Sequence, residues 1–111
     1  MAITKIFYHT DFENHIPTLN NPECSKRVAN IIKLIKEENF TNISLVEPNK
    51  INKELIYAAH DKNFVDDTLN KFPENDEIVY LDQETPVSQG SKDATLRAVG
   101  AGIDAVESIL D

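Results

Sequence analysis

The stretch YLDQETPVSQGSKDATLRAVGAGIDAVESIL, residues 80–110, decides the fold because it joins an acidic, turn-rich segment to an amphipathic helix. Pro86 and Gly90 mark the turns of the first half. Ser91 is placed to cap the helix, and Asp93 falls in its first turn, where a negative charge favours the positive end of the helix dipole. The predicted apolar face of this helix consists of Ala98, Val99, Gly102, Ile103, Val106, Ile109 and Leu110.

Strands and helices alternate along the rest of the chain. Strands are predicted at residues 5–10, 43–48 and 77–81, a loop at 11–20, and helices from Asn21 onward, at 53–60 and at 62–72. Asn52 and Asp61 are placed as the N-caps of the last two helices. This order predicts one α/β domain over residues 1–111 with parallel strands.

The helix that starts near Asn21 carries the clearest periodic pattern. Pro22 suits its first position, and Glu23 suits the positive end of its dipole. One apolar stripe is formed by Val28, Ile31, Ile32 and Ile35, which follow helical spacing. We expect this stripe to pack on the sheet.

Charge and cysteine content narrow the classes of partner and compartment. The 111 residues include 19 acidic and 11 basic ones, for a net charge of −8. This balance opposes binding to nucleic acid or to anionic membranes and favours cationic partners, although it also serves solubility alone. Cys24 is the only cysteine, so an intrachain disulfide is excluded, and the chain shows neither a leader nor a long apolar run. We expect a cytoplasmic protein.

A search for chemistry finds no catalytic residue and no metal site. The three histidines, His9, His15 and His60, do not occur in the paired spacings of metal ligands, and Cys24 falls in an apolar-faced helix. The acidic residues of the 61–77 region are expected to be solvated; they are Asp61, Asp66, Asp67, Glu74, Asp76 and Glu77. Asp82 and Glu84 either accept hydrogen bonds from a ligand's amides or form a polar turn.

Three segments together resemble the N-terminal part of the histone deacetylase superfamily, which includes acetylpolyamine amidohydrolases and acetoin-utilisation-type proteins. They are IFYHTDFENHIPTLNNPECSKRVANIIKLI at 6–35, INKELIYAAHDKNFVDDTL at 51–69 and LDQETPVSQGSKDATLRAVGAGIDAVESIL at 81–110. The first is similar to the family's opening strand and HPE-x-P-x-R helix start, and the last to its D-x-D-T-P-V-x-P-G-S segment. The resemblance implies the N-terminal portion of an arginase/deacetylase-like, three-layer fold with a parallel sheet, left incomplete.

The resemblance also assigns roles to residues. Arg27, in the helix-start motif with Pro22 and Glu23, matches an arginine near the base of the active-site pocket. Glu84 falls where many members place a rim aspartate that binds the backbone amides of the substrate, and His60 matches a structural histidine. Departures from the pattern are Asn21 for histidine, Ser25 for proline, Glu84 for aspartate and Gln89 for proline.

The family's zinc ligands, paired catalytic histidines and tyrosine all lie beyond the matched segment. The resemblance therefore implies zinc in the complete family enzyme and no cofactor in this chain. It predicts a deacetylase segment that is inactive alone, with acetyl-lysine or acetylpolyamine as the class of substrate for the complete enzyme. Its expected partners are a complementing C-terminal polypeptide or a second copy of the chain. The alternative is a free-standing, non-catalytic module that binds or dimerises.

Overall fold

The computed structural model of the protein describes residues 2–16 and 25–111. The strands are β1 (Thr4–Phe7), β2 (Ile43–Val46), β3 (Val79–Tyr80) and β4 (Pro86–Val87). The α-helices are α1 (Ser25–Glu38), α2 (Lys62–Asn70) and α3 (Ser91–Leu110), and two 3-10 helices span Thr10–Asn14 and Lys53–Ala58.

A small parallel sheet forms from the first two strands. β1 pairs with β2 in a register that runs from Thr4 opposite Ile43 to Phe7 opposite Val46, and α1 lies between them in the chain. The N–H of Tyr8 also donates to the carbonyl of Val46, at 2.9 Å. The mixed α/β class and the parallel pairing of these strands are therefore confirmed.

The predicted loop at 11–20 contains a helix where it is described. The first 3-10 helix, Thr10–Asn14, starts because the Nδ1 atom of His9 accepts the N–H of Asp11, which satisfies a free donor at the helix start. This helix begins three residues after the end of β1 at Phe7 and contacts both α1 and α3. It therefore packs against both of these helices, whereas the sequence predicted a loop.

Helix α1 begins, in the described part, at Ser25, so the predicted cap Asn21 and its neighbours Pro22, Glu23 and Cys24 lie outside the described residues. Asn39 ends the helix with a left-handed backbone, φ 50°, which asparagine tolerates better than most residues.

The apolar stripe of α1 is only partly buried. Ile32 is buried, while Val28 and Ile35 are half-buried. Ile31, which the helical spacing placed on the same stripe, is 49% exposed. The side of α1 that is covered is therefore narrower than the sequence pattern predicts.

The two short helices after the sheet differ from each other. The α-helix predicted at 53–60 is a 3-10 helix, Lys53–Ala58, and Asn52 at its start makes no capping hydrogen bond. Asp61 is confirmed as the cap of α2, because its Oδ1 atom accepts the N–H of Phe64 at 3.1 Å. Val65 and Leu69 of α2 are buried.

The third predicted strand does not join the parallel sheet. β3 pairs antiparallel with β4, with Val79 opposite Val87 and Tyr80 opposite Pro86. The prediction of uniformly parallel strands is wrong here because only residues 81–85 join the two strands, and a parallel crossover needs a dozen or more residues.

Helix α3 starts differently from the prediction. Gly90 occupies the cap position and Ser91 is the first helical residue, so Ser91 does not cap the helix. Its hydroxyl instead accepts the N–H of Ser88 at 2.8 Å. Asp93 lies in the first turn, as predicted.

The predicted apolar face of α3 points largely to solvent. Helix α3 contacts the first 3-10 helix and β1, and its buried residues are Ser91, Ala94, Leu96 and Gly100. The residues Val99, Val106, Ile109 and Leu110 are exposed, the last two by 84% and 80%. We call Ala98, Val99, Gly102, Ile103, Val106, Ile109 and Leu110 the exposed α3 face, in which Ile103 alone is half-buried.

Candidate functional site

The turn between β3 and β4 is organised by the carboxylate of Asp82. The N–H of Glu84 donates to Asp82 Oδ1 at 2.9 Å, and the N–H of Leu81 donates to the carbonyl of Thr85 at 2.9 Å. Hydrogen bonds from the Thr85 side chain and from the Glu84 amide hold the pKa of the Asp82 carboxyl below its usual range. Asp82 is thus hydrogen-bonded within its own turn. Of the two alternatives given for this residue, a ligand-binding group or a polar turn, its bonds are those of a polar turn.

Glu84 lies at the tip of the same turn and is exposed. Within residues 2–16 and 25–111, its carboxylate makes neither a hydrogen bond nor an ion pair. The turn therefore presents one outward carboxylate, that of Glu84, on a backbone fixed by Asp82. Its role as a substrate-binding residue stays a prediction.

Beneath this hairpin, two serines tie the chain near residue 15 to the start of α3. Ser88 Oγ accepts the N–H of Ile16 at 2.9 Å and donates to the carbonyl of Asn14 at 3.3 Å. Ser91 Oγ is hydrogen-bonded to His15 Nδ1 and lies 3.2 Å from Ser88 Oγ. These contacts join segments more than 70 residues apart in the sequence.

Gly90 is required at this junction because the chain passes so closely. A Cβ atom at Gly90 would lie 2.2 Å from the carbonyl oxygen of Asn14 and 2.6 Å from its Cβ. The 14–16 segment and the Ser88–Ser91 turn therefore form one packed unit, which fixes the position of His15.

An open concavity of about 370 Å³ lies next to this unit. Its lining residues are Phe12, His15, Arg27, Val28, Ala94, Thr95 and Ala98. The lining is mainly apolar, with a guanidinium, an imidazole and a hydroxyl as its polar groups. Arg27 thus lines a concavity that also holds His15, whereas its position at the base of a substrate pocket stays a prediction.

Arg97 forms a half-buried cluster that the sequence did not indicate. Its Nε and Nη2 atoms donate to Asp11 Oδ2 at 3.1 and 3.0 Å, and Nη1 donates to the carbonyl of Pro48 at 2.9 Å. His9 Nδ1 lies 3.5 Å from the same carboxylate oxygen. The cluster holds α3 against the first 3-10 helix and the segment after β2. The only sequence signal was one arginine within an otherwise apolar and small-residue run.

The expectation that the acidic residues of the 61–77 region are solvated is wrong for Asp66. It accepts a hydrogen bond from the Tyr57 hydroxyl, and Lys53 and Lys62 lie 3.1 and 3.2 Å from its two oxygens. The bond from Tyr57, followed by those from the lysines, lowers the pKa of Asp66 from 3.8 to about 2. The same bonds raise the pKa values of Tyr57 and Lys53. This cluster joins the second 3-10 helix to α2.

The described residues offer limited chemistry of their own. Ser91 and His15 are paired as a nucleophile and a base would be, but Ser91 is only 1% exposed, so its hydroxyl cannot reach an external substrate. No group of three or more His, Cys, Asp or Glu side chains that could hold a metal ion occurs among the described residues. In the same part of the chain, no helix is long and apolar enough to cross a membrane.

Comparison with known proteins identifies the family. A comparison with curated proteins gave no match. The family model of the histone deacetylase domain matches residues 21–111, which include α1, the hairpin and all of α3. The chain therefore belongs to the histone deacetylase domain family and carries part of that domain.

Proposed function

We propose that the chain supplies the substrate rim and the pocket floor of a histone deacetylase-like amide hydrolase whose zinc ligands lie outside the described residues. The complete enzyme would remove acetyl groups from acetyl-lysine or acetylpolyamine substrates, with the arginase/deacetylase-like, three-layer fold. The observation that carries the proposal is the turn at 81–85, where Asp82 is bonded internally and Glu84 faces outward.

The role proposed for Glu84 follows from the chemistry of its carboxylate. A carboxylate accepts hydrogen bonds from two backbone amides at once, and charge-assisted bonds of this kind are stronger than neutral ones. The Asp82 bonds fix the backbone amide of Glu84 before a substrate arrives, so less ordering is required on binding. Glu84 would orient the substrate, and the chain would contribute no acid or base to the reaction.

Arg27 and the overall charge support the same class of substrate. Arg27 lines the concavity beside α3, which in this proposal is the floor of the pocket. The net charge of −8 attracts a polyamine or a lysine-rich peptide over long range. In this proposal, the family's zinc ligands are supplied by another part of the histone deacetylase domain.

The exposed α3 face indicates where that portion would pack. Large aliphatic side chains in the C-terminal part of the 20-residue helix, from Val99 to Leu110, are open to solvent, and contiguous apolar patches commonly mark an interface. In the proposal, the zinc-binding portion covers this face and completes the pocket between Arg27 and Glu84.

Domain complementation tests the proposal. The chain would be co-expressed with a polypeptide that carries the zinc-binding portion of a histone deacetylase domain from another family member. We expect hydrolysis of an acetyl-lysine peptide only in the mixed sample. In that sample, Glu84→Ala should raise KM about tenfold, because it removes roughly one charged hydrogen bond to the substrate. Gln83→Ala, at the neighbouring exposed position, is the control and should leave KM unchanged. An unchanged KM for Glu84→Ala would remove Glu84 from the rim.

A second candidate function, a module that dimerises, is favoured by one observation. Residues alternately four and three apart lie exposed along α3, in the spacing of a two-helix seam: Thr95, Val99, Gly102, Val106 and Ile109. Under this alternative the isolated chain is a dimer, and Val106→Glu converts it to a monomer. Light scattering on both proteins decides, because a monomeric parent chain contradicts the alternative.

A further inference from the structure

A second concavity, of about 600 Å³, adjoins the junction between the 14–16 segment and the start of α3. Its lining comes from four stretches of chain: the 14–16 segment, residues 75–78 before β3, residues 88–90 after β4, and the first turn of α3. Its volume lies in the range of about 300–1,000 Å³ that is usual for small-molecule sites. We call it the Asp76 concavity, and the chemistry of its lining indicates which ligand it fits.

Two aliphatic side chains line the Asp76 concavity and remain open to solvent. Ile16 is 50% exposed and Ile78 is 41% exposed. The N–H of Ile16 donates to Ser88 Oγ at 2.9 Å, which holds the backbone on that wall. Ile78 directly precedes β3, whose pairing with β4 holds the second wall. The concavity therefore offers pre-formed apolar surface, against which the methylene groups of a ligand would be removed from water.

The charged side chains in the lining are two carboxylates, and one of them already has a cationic partner. Asp93 accepts a hydrogen bond from Lys50 Nζ at 3.2 Å. In the part of the chain that the structure describes, the carboxylate of Asp76 makes neither a hydrogen bond nor an ion pair. One uncompensated negative charge thus lies beside the two aliphatic side chains, and it favours a cationic ligand.

Gln89 adds a neutral acceptor to this carboxylate. Its Nε2 atom donates to the carbonyl of Glu74 at 2.9 Å, which identifies Oε1 as the other end of the amide, and Oε1 only accepts. On the neighbouring wall, Asn75 Oδ1 accepts the N–H of Glu77 at 2.9 Å, so the backbone that carries Asp76 is held on both sides. The acceptors of the concavity are therefore fixed in place before a ligand arrives, and less ordering is required on binding.

We propose that the Asp76 concavity binds a primary alkylammonium group, with the ammonium at the Asp76 carboxylate and Gln89 Oε1 and the methylene groups against Ile16 and Ile78. An ammonium donates three hydrogen bonds and accepts none, which suits a carboxylate and an amide oxygen. A lysine side chain of a peptide and a polyamine both present this group. The inference concerns binding alone and does not depend on the proposed deacetylase function.

Titration of the full ¹⁵N-labelled chain with n-butylammonium chloride at constant ionic strength, followed by nuclear magnetic resonance, tests the proposal. We expect saturable shifts of the backbone signals of residues 75–78 and 88–90. n-Butanol, which lacks the charge, and ammonium chloride, which lacks the methylene groups, should each bind at least threefold more weakly. The absence of saturable shifts in these two stretches, or equal shifts with ammonium chloride, would overturn the proposal.

A pair of matched variants separates the concavity from the overall charge of the chain. Asp76→Asn should raise the Kd for n-butylammonium about three- to fivefold, the effect of one exposed charge pair. Asp67→Asn removes the same charge from an exposed position on α2 and should leave the Kd unchanged. Both positions are exposed, so neither variant is expected to disturb folding. An equal loss of affinity in the two variants would show that only the net charge acts, which would overturn the proposal.

The two sources of the alkylammonium group are distinguished with two further probes, spermidine and a capped Gly-Lys-Gly peptide. The probe that shifts the signals of residues 75–78 at the lower concentration identifies the source, and Asp76→Asn should weaken its binding as it weakens that of n-butylammonium. Failure of both probes to shift these signals would overturn the proposal.

Discussion

At the scale of single residues, Asp66 shows how partners change a carboxylate that the sequence left among exposed charges. Its hydroxyl and ammonium partners stabilise the charged form and lower its pKa from 3.8 to about 2. A depressed folded-state pKa contributes stability that is present above the unfolded pKa and is lost as the pH falls through the folded value.

We therefore predict that Asp66→Asn removes part of the pH dependence of stability. The parent chain should be more stable than the variant at pH 7, and the gap should close between about pH 4 and pH 2, the interval set by the two pKa values. Urea unfolding at several pH values measures the gap. Asp67→Asn, at the adjacent exposed position, is the control, and equal pH profiles for the two variants would contradict the prediction.

Arg97 carries a second prediction at this scale. Arg97→Met removes three donors from a half-buried site and leaves Asp11 without its guanidinium partner. We expect the free energy of unfolding to fall by about 2–3 kcal/mol, as for charged hydrogen bonds. Asp11→Asn should lower it too, and the double variant should lose less than the sum, because the residues interact directly. Additive losses in chemical denaturation would contradict a direct pair.

At the scale of elements, the two glycines of α3 differ in the space that surrounds them. A Cβ at Gly100 would lie 1.7 Å from the carbonyl oxygen of Asn49, so the helix approaches the segment after β2 without room for a side chain. A Cβ at Gly102 would have no heavy atom within 4 Å, in the part of the chain that is described.

Alanine at these two positions should therefore change stability in opposite directions. Gly100→Ala is expected to lower the free energy of unfolding by about 1–3 kcal/mol, through overpacking against a backbone atom. Gly102→Ala is expected to raise it by up to about 1 kcal/mol, because alanine favours a helix over glycine. Thermal or urea unfolding of both variants provides the measurement. A destabilising Gly102→Ala would show that something covers the exposed α3 face.

The elements also show which parts of the fold local sequence can predict. Asp61 capped α2 as expected, because an aspartate before an amphipathic run bonds only its own helix start. Ser91 had the same local signal, but its hydroxyl bonds Ser88 and His15, and the latter is 76 residues away. Pairings of that range have no local signal, which is also why Arg97 and Asp11 were missed.

At the scale of the whole molecule, periodicity identified the apolar face of α3 but not its exposure. A hydrophobic stripe indicates that a surface is to be covered, and it does not say by which segment. The structure packs α3 through Ala94, Leu96 and Gly100 and leaves Val106 and Ile109 open. The candidate site shows the same limit. Glu84 and Arg27 were singled out only by the family resemblance, whereas the turn around Glu84 and the concavity beside Arg27 were found only in the structure.

The most direct test is the solution mass and zinc content of the 111-residue chain, alone and with the zinc-binding portion of a related deacetylase domain. Light scattering and elemental analysis are made on the same samples. The account predicts that the chain alone carries no zinc and that the mixture forms a one-to-one complex containing zinc. A chain that binds zinc stoichiometrically by itself, or a stable dimer that the added portion cannot open, would contradict it.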